Sequence, residues 1–322
     1  MNDDLLDWVD AALAAVGRDR TGAPTVEADQ PWGRVSRVPT STGAVWLKAP
    51  APGMRFELGV LTLLAGLEPA ITPTVIATDV ARGVVLLVDA GVTFSDAYDD
   101  ATLPARFAAA LVEVGRLQRS SVAIVADLLA SGTPDLRPVA AAARFDEVVA
   151  ATSDLPADVG AARPLLVAAA DALASSAVPA AIDHNDLHDG NILLDGDGRV
   201  TVIDWGDSVV THPFSVLLVA QRVLASLLGD VGWDHPLIVA ARRDYLAVFA
   251  DLAPGEDLER TARLAVVVAH LGRAWAWHRA LASFTASGAD AGRFADAARE
   301  WLVLGAQALY DAEEAWGTKS TP

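Results

Sequence analysis

The chain of 322 residues contains no cysteine, which excludes disulfides, zinc–thiolate sites and thiol nucleophiles. Basic residues are also scarce: 24 lysines and arginines face 42 acids, for a formal net charge of −18. An acidic surface repels phosphate backbones and anionic lipids, which argues against nucleic acid and membranes as partners. The amino terminus has no basic start followed by an apolar run, and no apolar stretch reaches membrane-spanning length. We therefore expect an acidic cytoplasmic protein, and its oligomeric state is left open.

Hydrophobic residues make up 52% of the chain, enough to bury a core in each of two lobes. Residues 2–17 have the apolar spacing of a helix, and from about Pro24 to Asp89 short β-rich runs alternate with turn residues. A helix predicted over Met54–Leu67 interrupts these runs. We predict an α+β, bilobal fold, with a small antiparallel-sheet lobe at 1–91, a larger helical lobe at 92–322 and a ligand cleft between them.

Helical patterns prevail in the second lobe, and one hairpin interrupts them. The hairpin consists of the runs 192–194 and 200–203 around the turn Asp-Gly-Asp-Gly. The predicted helices cover 103–131, 138–151, 161–176, 214–228, 235–252, 258–284 and 290–316.

A cluster of oxygen-bearing side chains surrounds the predicted hairpin. Asp186 and Asn191 stand five positions apart on the preceding loop, and Asp204 follows the second strand. Because a hairpin folds back on itself, these three side chains can converge at one end of it. Two carboxylates and an amide oxygen suit Mg²⁺, and one of the carboxylates can instead orient a hydroxyl nucleophile. These are the groups that phosphoryl transfer requires.

The same residues match a known pattern. Residues 184–191, His-Asn-Asp-Leu-His-Asp-Gly-Asn, fit the catalytic loop H-x-D-L-x-x-x-N of the protein-kinase-like fold, and 204–206, Asp-Trp-Gly, stands where D-F-G stands. This variant resembles the aminoglycoside phosphotransferase and choline kinase-like family of small-molecule kinases. The resemblance implies transfer of the γ-phosphate of ATP (or GTP), with Mg²⁺, to a hydroxyl of a small molecule. It implies that Asp186 is the catalytic base and that Asn191 and Asp204 hold the metal, while His184 braces the loop.

Residues upstream agree with the family's nucleotide site. Lys48 lies on the third predicted strand, where the family carries a lysine, and Glu57 in the following helix would pair with it. The spacing between the two is short, so Glu68 stays open as an alternative partner. The run 86–91, Leu-Leu-Val-Asp-Ala-Gly, resembles the family's hinge and implies that backbone groups of Val88 and Ala90 bind the purine. The loop 29–33 lacks the G-x-G-x-x-G of protein kinases, as is common in the small-molecule branch.

The acceptor is the part of the function that the motifs constrain least. After residue 207 the chain lacks the D-P-x-x-D-L-A usual in antibiotic kinases, so an aminoglycoside-, amino-sugar- or macrolide-like acceptor stays open. We expect acceptor contacts from His188 and Asp207 beside the motif. We also expect them from His270, Arg273 and Trp277, which share one face of the helix 258–284. The alternative is that Trp277 packs against the last helix and Arg273 pairs with one of its acids.

Two other functional classes fit parts of the sequence. A pseudokinase-like, nucleotide-binding module would use the same fold, but such proteins normally lose at least one catalytic residue type, and here the lysine, both aspartates and the asparagine are present. A protein kinase is disfavoured by the segment after Gly206. Pro213 comes only seven positions later and no A-P-E follows, which leaves no room for a peptide-docking loop.

Overall fold

We describe the fold from a computed structural model, in which residues 2–285 and 292–317 are described. The first lobe is built on a five-stranded antiparallel sheet with the strand order β1-β2-β3-β5-β4. A link of two residues, Pro31 and Trp32, joins the first two strands. The strands are β1 (Thr25–Gln30), β2 (Gly33–Thr40), β3 (Gly43–Pro50), β4 (Val75–Asp79) and β5 (Val84–Val88).

Helix α1 (Asp3–Ala15) covers one face of this sheet. The Asn2 side chain caps it by accepting a hydrogen bond from Leu5 N, and Val9 and Leu13 pack into a cluster with the apolar side chains of β2, β3 and β5. Helix α2 (Glu57–Leu64) joins the main core instead. The predicted helix over Met54–Leu67 was too long at both ends. Pro52–Met54 forms a separate 3₁₀ turn, and Gly66 and Pro69 disfavour any continuation past Leu64.

The second lobe is mostly helical, as predicted. The predicted helix 103–131 is divided by a 3₁₀ turn at Val122–Ile124, in a run rich in β-branched residues that crowd the preceding helical turn. The predicted start of the last helix, at 290, lies outside the described residues. The helices are α3 (Phe94–Ala97), α4 (Leu103–Ser121), α5 (Val125–Ala130), α6 (Ala141–Ala151), α7 (Ala157–Ala161), α8 (Arg163–Ala174), α9 (Leu217–Leu227), α10 (Pro236–Ala247), α11 (Leu258–Thr285) and α12 (Ala297–Gly317).

Two short ladders fix the segments that carry the motif. Strand β6 (Val92–Thr93) pairs with β8 (Ile192–Leu194), which forms the predicted hairpin with β9 (Val200–Val202). Strand β7 (Ala181–Asp183) pairs with β10 (Val209–Thr211), a ladder that the sequence did not predict. Because β7 leads into residues 184–191 and β10 follows 204–208, the two motif segments lie side by side. The prediction of an α+β, bilobal fold is confirmed. In the part of the chain that the structure describes, no helix is long and apolar enough to cross a bilayer.

Candidate active site

His184 connects the two motif segments from behind. Its ring is fully buried, and Nε2 donates a hydrogen bond to the Ile203 carbonyl at 2.8 Å. The ring also lies edge-on to Trp205, with 4.9 Å between the ring centroids. Burial lowers the pKa of His184 to about 4, so the imidazole is neutral at physiological pH and Nδ1 is free to accept from Asp186 N. The structure therefore places His184 as a brace.

Asp186, Asn191 and Asp204 converge at the end of the hairpin. The Asn191 amide nitrogen donates to the Asp186 carbonyl at 3.0 Å, and Asn191 O accepts from Ile203 N at 2.9 Å. These bonds hold Asn191 beside the residue before Asp204, whose backbone is left-handed at φ 63°. The side chains of Asp186 and Asp204 are 31% and 39% exposed, both toward the cleft that they line.

Lys48 joins the sheet lobe to this cluster. Its ammonium lies 2.6 Å from Glu57 Oε1 and 2.6 Å from Asp204 Oδ1. The structure thus pairs Lys48 with Glu57, whereas Glu68 accepts a hydrogen bond from Ala70 N at the surface. Burial by itself would lower the pKa of Lys48, but the charges of Asp204 and Glu57 outweigh it and the pKa is raised. Burial raises the pKa of Glu57, and the same lysine holds that of Asp204 below its ordinary value despite burial.

A mainly apolar cavity of about 270 Å³ lies under the sheet, between β2, β3 and the hinge. Trp46 and Lys48 alternate on β3, so both side chains face it. Val88 N–H donates to the Thr74 carbonyl at 2.9 Å, which leaves the Val88 carbonyl as its group for a ligand. The cavity is lined by Ala28, Gln30, Trp32, Gly33, Val35, Trp46, Lys48, Glu57, Leu61, Pro73, Leu87, Val88, Ala90, Gly91, Leu193, Ile203 and Asp204.

A second cavity of about 340 Å³ adjoins the first and contains the motif carboxylates together with His188. Gly190 N donates to His188 Nδ1 at 3.1 Å, which fixes that ring. Three aromatic rings form one wall. Trp277 and Phe294 lie nearly parallel with centroids 5.5 Å apart, and Trp32 meets them edge-on at 5.6 and 5.1 Å. Trp32, from the link between β1 and β2, lines both cavities.

The structure does not bring His270, Arg273 and Trp277 together, which corrects that expectation. Trp277 lines the cleft, whereas Arg273 lies behind Asp186 and Asp207, and His270 packs beside Trp301 of α12 with its Nδ1 on the Val266 carbonyl. Seven residues of helix span about 10 Å, so two residues on one face of α11 meet different neighbours. The alternative partner for Arg273, an acid of the last helix, is not the one that the structure shows.

The sequence itself assigns the chain to a family. A model of the APH phosphotransferase enzyme family matches residues 33–249, which include Lys48, the hinge and every motif residue described above. The chain belongs to this family. As an APH-family phosphotransferase it acts on small molecules, and the prediction of a small-molecule kinase is confirmed at that level. No curated protein sequence matches the chain significantly.

Solved structures share the fold of this APH-family protein across nearly its whole length. The macrolide 2'-phosphotransferase of Brachybacterium faecium is 18% identical, with 92% of this chain and 98% of that chain covered and a TM-score of 0.57. The choline kinase of Streptococcus pneumoniae is 13% identical, with 95% and 99% covered and a TM-score of 0.62. A GDP complex of aminoglycoside 2'-phosphotransferase-IIIa is 14% identical, with 98% and 99% covered and a TM-score of 0.54. At these identities the likeness concerns the fold.

Proposed function

We propose that this protein transfers the γ-phosphate of ATP, with Mg²⁺, to a hydroxyl group of a small molecule. The observation that carries the proposal is the convergence of Asp186, Asn191 and Asp204 with the Lys48–Glu57 pair where two cavities meet. One cavity suits a nucleotide and the other an acceptor, so the carboxylates stand where the two substrates would react.

The nucleotide would occupy the apolar cavity under the sheet. The Val88 carbonyl can accept from a purine amino group, and Ala90 N–H can donate to a ring nitrogen. Trp46 and Leu87 give the ring apolar contacts, and Lys48 at the inner end is a cation for the phosphates. These backbone groups suit an adenine, and GTP is the alternative nucleotide.

The donors on the chain fit a magnesium ion. Because the Asn191 amide nitrogen is committed to the Asp186 carbonyl, its amide oxygen is the atom left as a ligand, beside the Asp204 carboxylate. Mg²⁺ commonly takes one or two protein oxygens and fills its shell with water and phosphate oxygens. When bound, the ion would neutralise charge on the transferred phosphate.

Asp186 is the group that would handle the acceptor's proton. Its carboxylate accepts a hydrogen bond from the acceptor hydroxyl and takes the proton as the acceptor oxygen bonds to the γ-phosphorus. The bond from that phosphorus to the bridging oxygen breaks, and the electron pair leaves with ADP. Asp186 is partly exposed to the cleft, so a hydroxyl can reach it.

The wall of the second cavity supports an acceptor that has an apolar face. Trp277, Phe294 and Trp32 supply aromatic surface, and His188 can hydrogen-bond a polar group beside Asp186. The four carboxylates that line the cleft are paired with the buried cations Lys48 and Arg273. This arrangement suits an aminoglycoside-, amino-sugar- or macrolide-like molecule bound through a ring face.

The test is ADP formation with Mg²⁺–ATP against a panel of aminoglycosides, macrolides, amino sugars and choline. Asp186→Asn should keep nucleotide affinity and lower kcat by about 10²-fold or more, whereas Asp204→Asn should also weaken Mg²⁺–ATP binding. Asp197→Asn, in the exposed hairpin turn, is the matched control. Equal and small effects at 186 and 204 would contradict the kinase assignment. Nucleotide binding without turnover on any acceptor would favour the pseudokinase-like module instead.

A further inference from the structure

Arg273 of α11 touches both motif segments at once. Its Nη2 lies 3.0 Å from Asp186 Oδ1, and its Nη1 lies 2.8 Å from Asp207 Oδ2 and 3.0 Å from the Asn185 carbonyl. One guanidinium therefore ties the loop that bears the proposed base to the segment that follows Asp204. Its planar fork suits this geometry, since each donor is set at a fixed angle to the others.

The guanidinium is removed from solvent. The Arg273 side chain is 5% exposed, and the Trp301 ring of α12 covers it with 5.6 Å between Cζ and the ring centroid. The acceptor cavity is not lined by Arg273. A molecule bound there would meet Asp186 and Asp207, with Arg273 behind them. This position argues against the acceptor contact that the sequence suggested.

The backbone around Arg273 is fitted closely to the loop. Asn185, which is left-handed at φ 63°, donates from Nδ2 to the Asp207 carbonyl at 3.2 Å and to the Gly272 carbonyl at 3.3 Å. A Cβ on Gly272 would lie 3.1 Å from Asn185 Oδ1, so a side chain there would press α11 away from the loop. Adjacent residues of α11 thus hold the loop through a side chain and through the backbone.

The pairing divides the two oxygens of Asp186. Arg273 engages Oδ1, and within the described residues Oδ2 has no hydrogen-bond partner. A purely structural ion pair would engage buried carboxylates, whereas the Asp186 side chain is 31% exposed to the cleft. Resting on the proposed function, we propose that Arg273 is a positioning residue, which fixes the carboxylate of Asp186 so that its free oxygen meets the acceptor hydroxyl.

A displacement of about 1 Å at a reacting group costs on the order of 10²-fold in rate. Arg273→Met should therefore lower kcat by about 10²-fold and leave the KM for ATP within about twofold, because the nucleotide cavity is untouched. Arg273→Lys keeps the charge but loses the fork, so it should recover only part of kcat. Arg263→Met, at an exposed position of the same helix, is the control.

Arg273→Met leaves two carboxylates without their cation, so this variant can lose stability. The double variant Arg273→Met/Asp207→Asn removes one of those charges, and Asp207→Asn alone is its reference. We expect the double variant to unfold near the melting temperature of its reference and to have a kcat about 10²-fold below it.

Three results would overturn the role. A double variant with the kcat of its reference would show that Arg273 supplies only stability. An intact kcat with a raised acceptor KM would make Arg273 a substrate contact. A wild-type protein that forms no ADP with any acceptor would overturn the proposed function together with this role, and this outcome is visible before any variant is made.

Discussion

Asp183 offers a sharp test of the electrostatics behind the motif loop. It ends β7, is 1% exposed, and accepts from Asn185 N through Oδ1 at 3.2 Å. Its Oδ2 is buried with no hydrogen-bond partner within the described residues, facing a small internal cavity with Ser215 and Thr211. Burial raises the pKa of this carboxyl from 3.8 to about 7, and the backbone hydrogen bonds and Arg273 offset burial only in part.

A raised pKa favours the protonated form in the folded state. Stability is then fully present below the pKa of the unfolded chain and is lost as the pH rises through the folded value. The interval from 3.8 to about 7, at about 1.4 kcal/mol for each pKa unit, amounts to roughly 4 kcal/mol. About 2 kcal/mol of this loss falls between pH 5.5 and pH 8, a range in which the free energy of unfolding can be measured.

Asp183→Asn removes the titration and keeps the oxygen that accepts from Asn185. The free energy of unfolding, from urea titrations at pH 5.5, 6.5, 7.25 and 8, should fall with pH in the wild type relative to the variant, by about 2 kcal/mol in total. Subtracting the two curves isolates this carboxyl from other titrating groups. Asp171→Asn, on the exposed face of α8, should give a flat difference. A flat difference for Asp183→Asn as well would refute the reasoning.

Three further predictions concern the cleft. Ala90→Pro removes the hinge N–H and should weaken ATP binding by about 1–3 kcal/mol in calorimetric titration, whereas an unchanged affinity would place the hinge elsewhere. Gly91→Ala should lower the melting temperature and nucleotide affinity together, because Gly91 has φ 99° and a Cβ would lie 2.1 Å from the Leu194 carbonyl; a wild-type melting curve would contradict this. Trp277→Ala should raise the acceptor KM and leave that for ATP nearly unchanged, and loss of stability with an intact acceptor KM would remove Trp277 from the pocket.

The sequence predicted best what lies close together along the chain. Asp186, Asn191 and Asp204 are linked by one hairpin, so their spacing alone predicts that they converge. Lys48 and Glu57 were placed by their register on a strand and on the next helix, and the structure puts the ammonium 2.6 Å from the carboxylate. In each case local geometry determines which atoms can meet.

What the sequence missed depends on contacts between distant segments. Arg273 reaches Asp186 across 87 positions, and helical periodicity gives the face of α11 but not the element that covers it at each turn. The ladder of β7 with β10 joins strands of three residues, too short for an alternating pattern. Trp32, in a link of two residues, has no periodicity that would predict its contact with Trp277 in the other lobe.

The position of Trp32 has a thermodynamic consequence. One indole forms part of the wall of both cavities and meets Trp277 and Phe294 across the cleft. A nucleotide that displaces this ring reshapes the acceptor cavity, and an acceptor that packs against it stiffens the wall of the nucleotide cavity. The shared wall couples the two binding equilibria, and the coupling is reciprocal: each substrate must change the affinity of the other by the same factor.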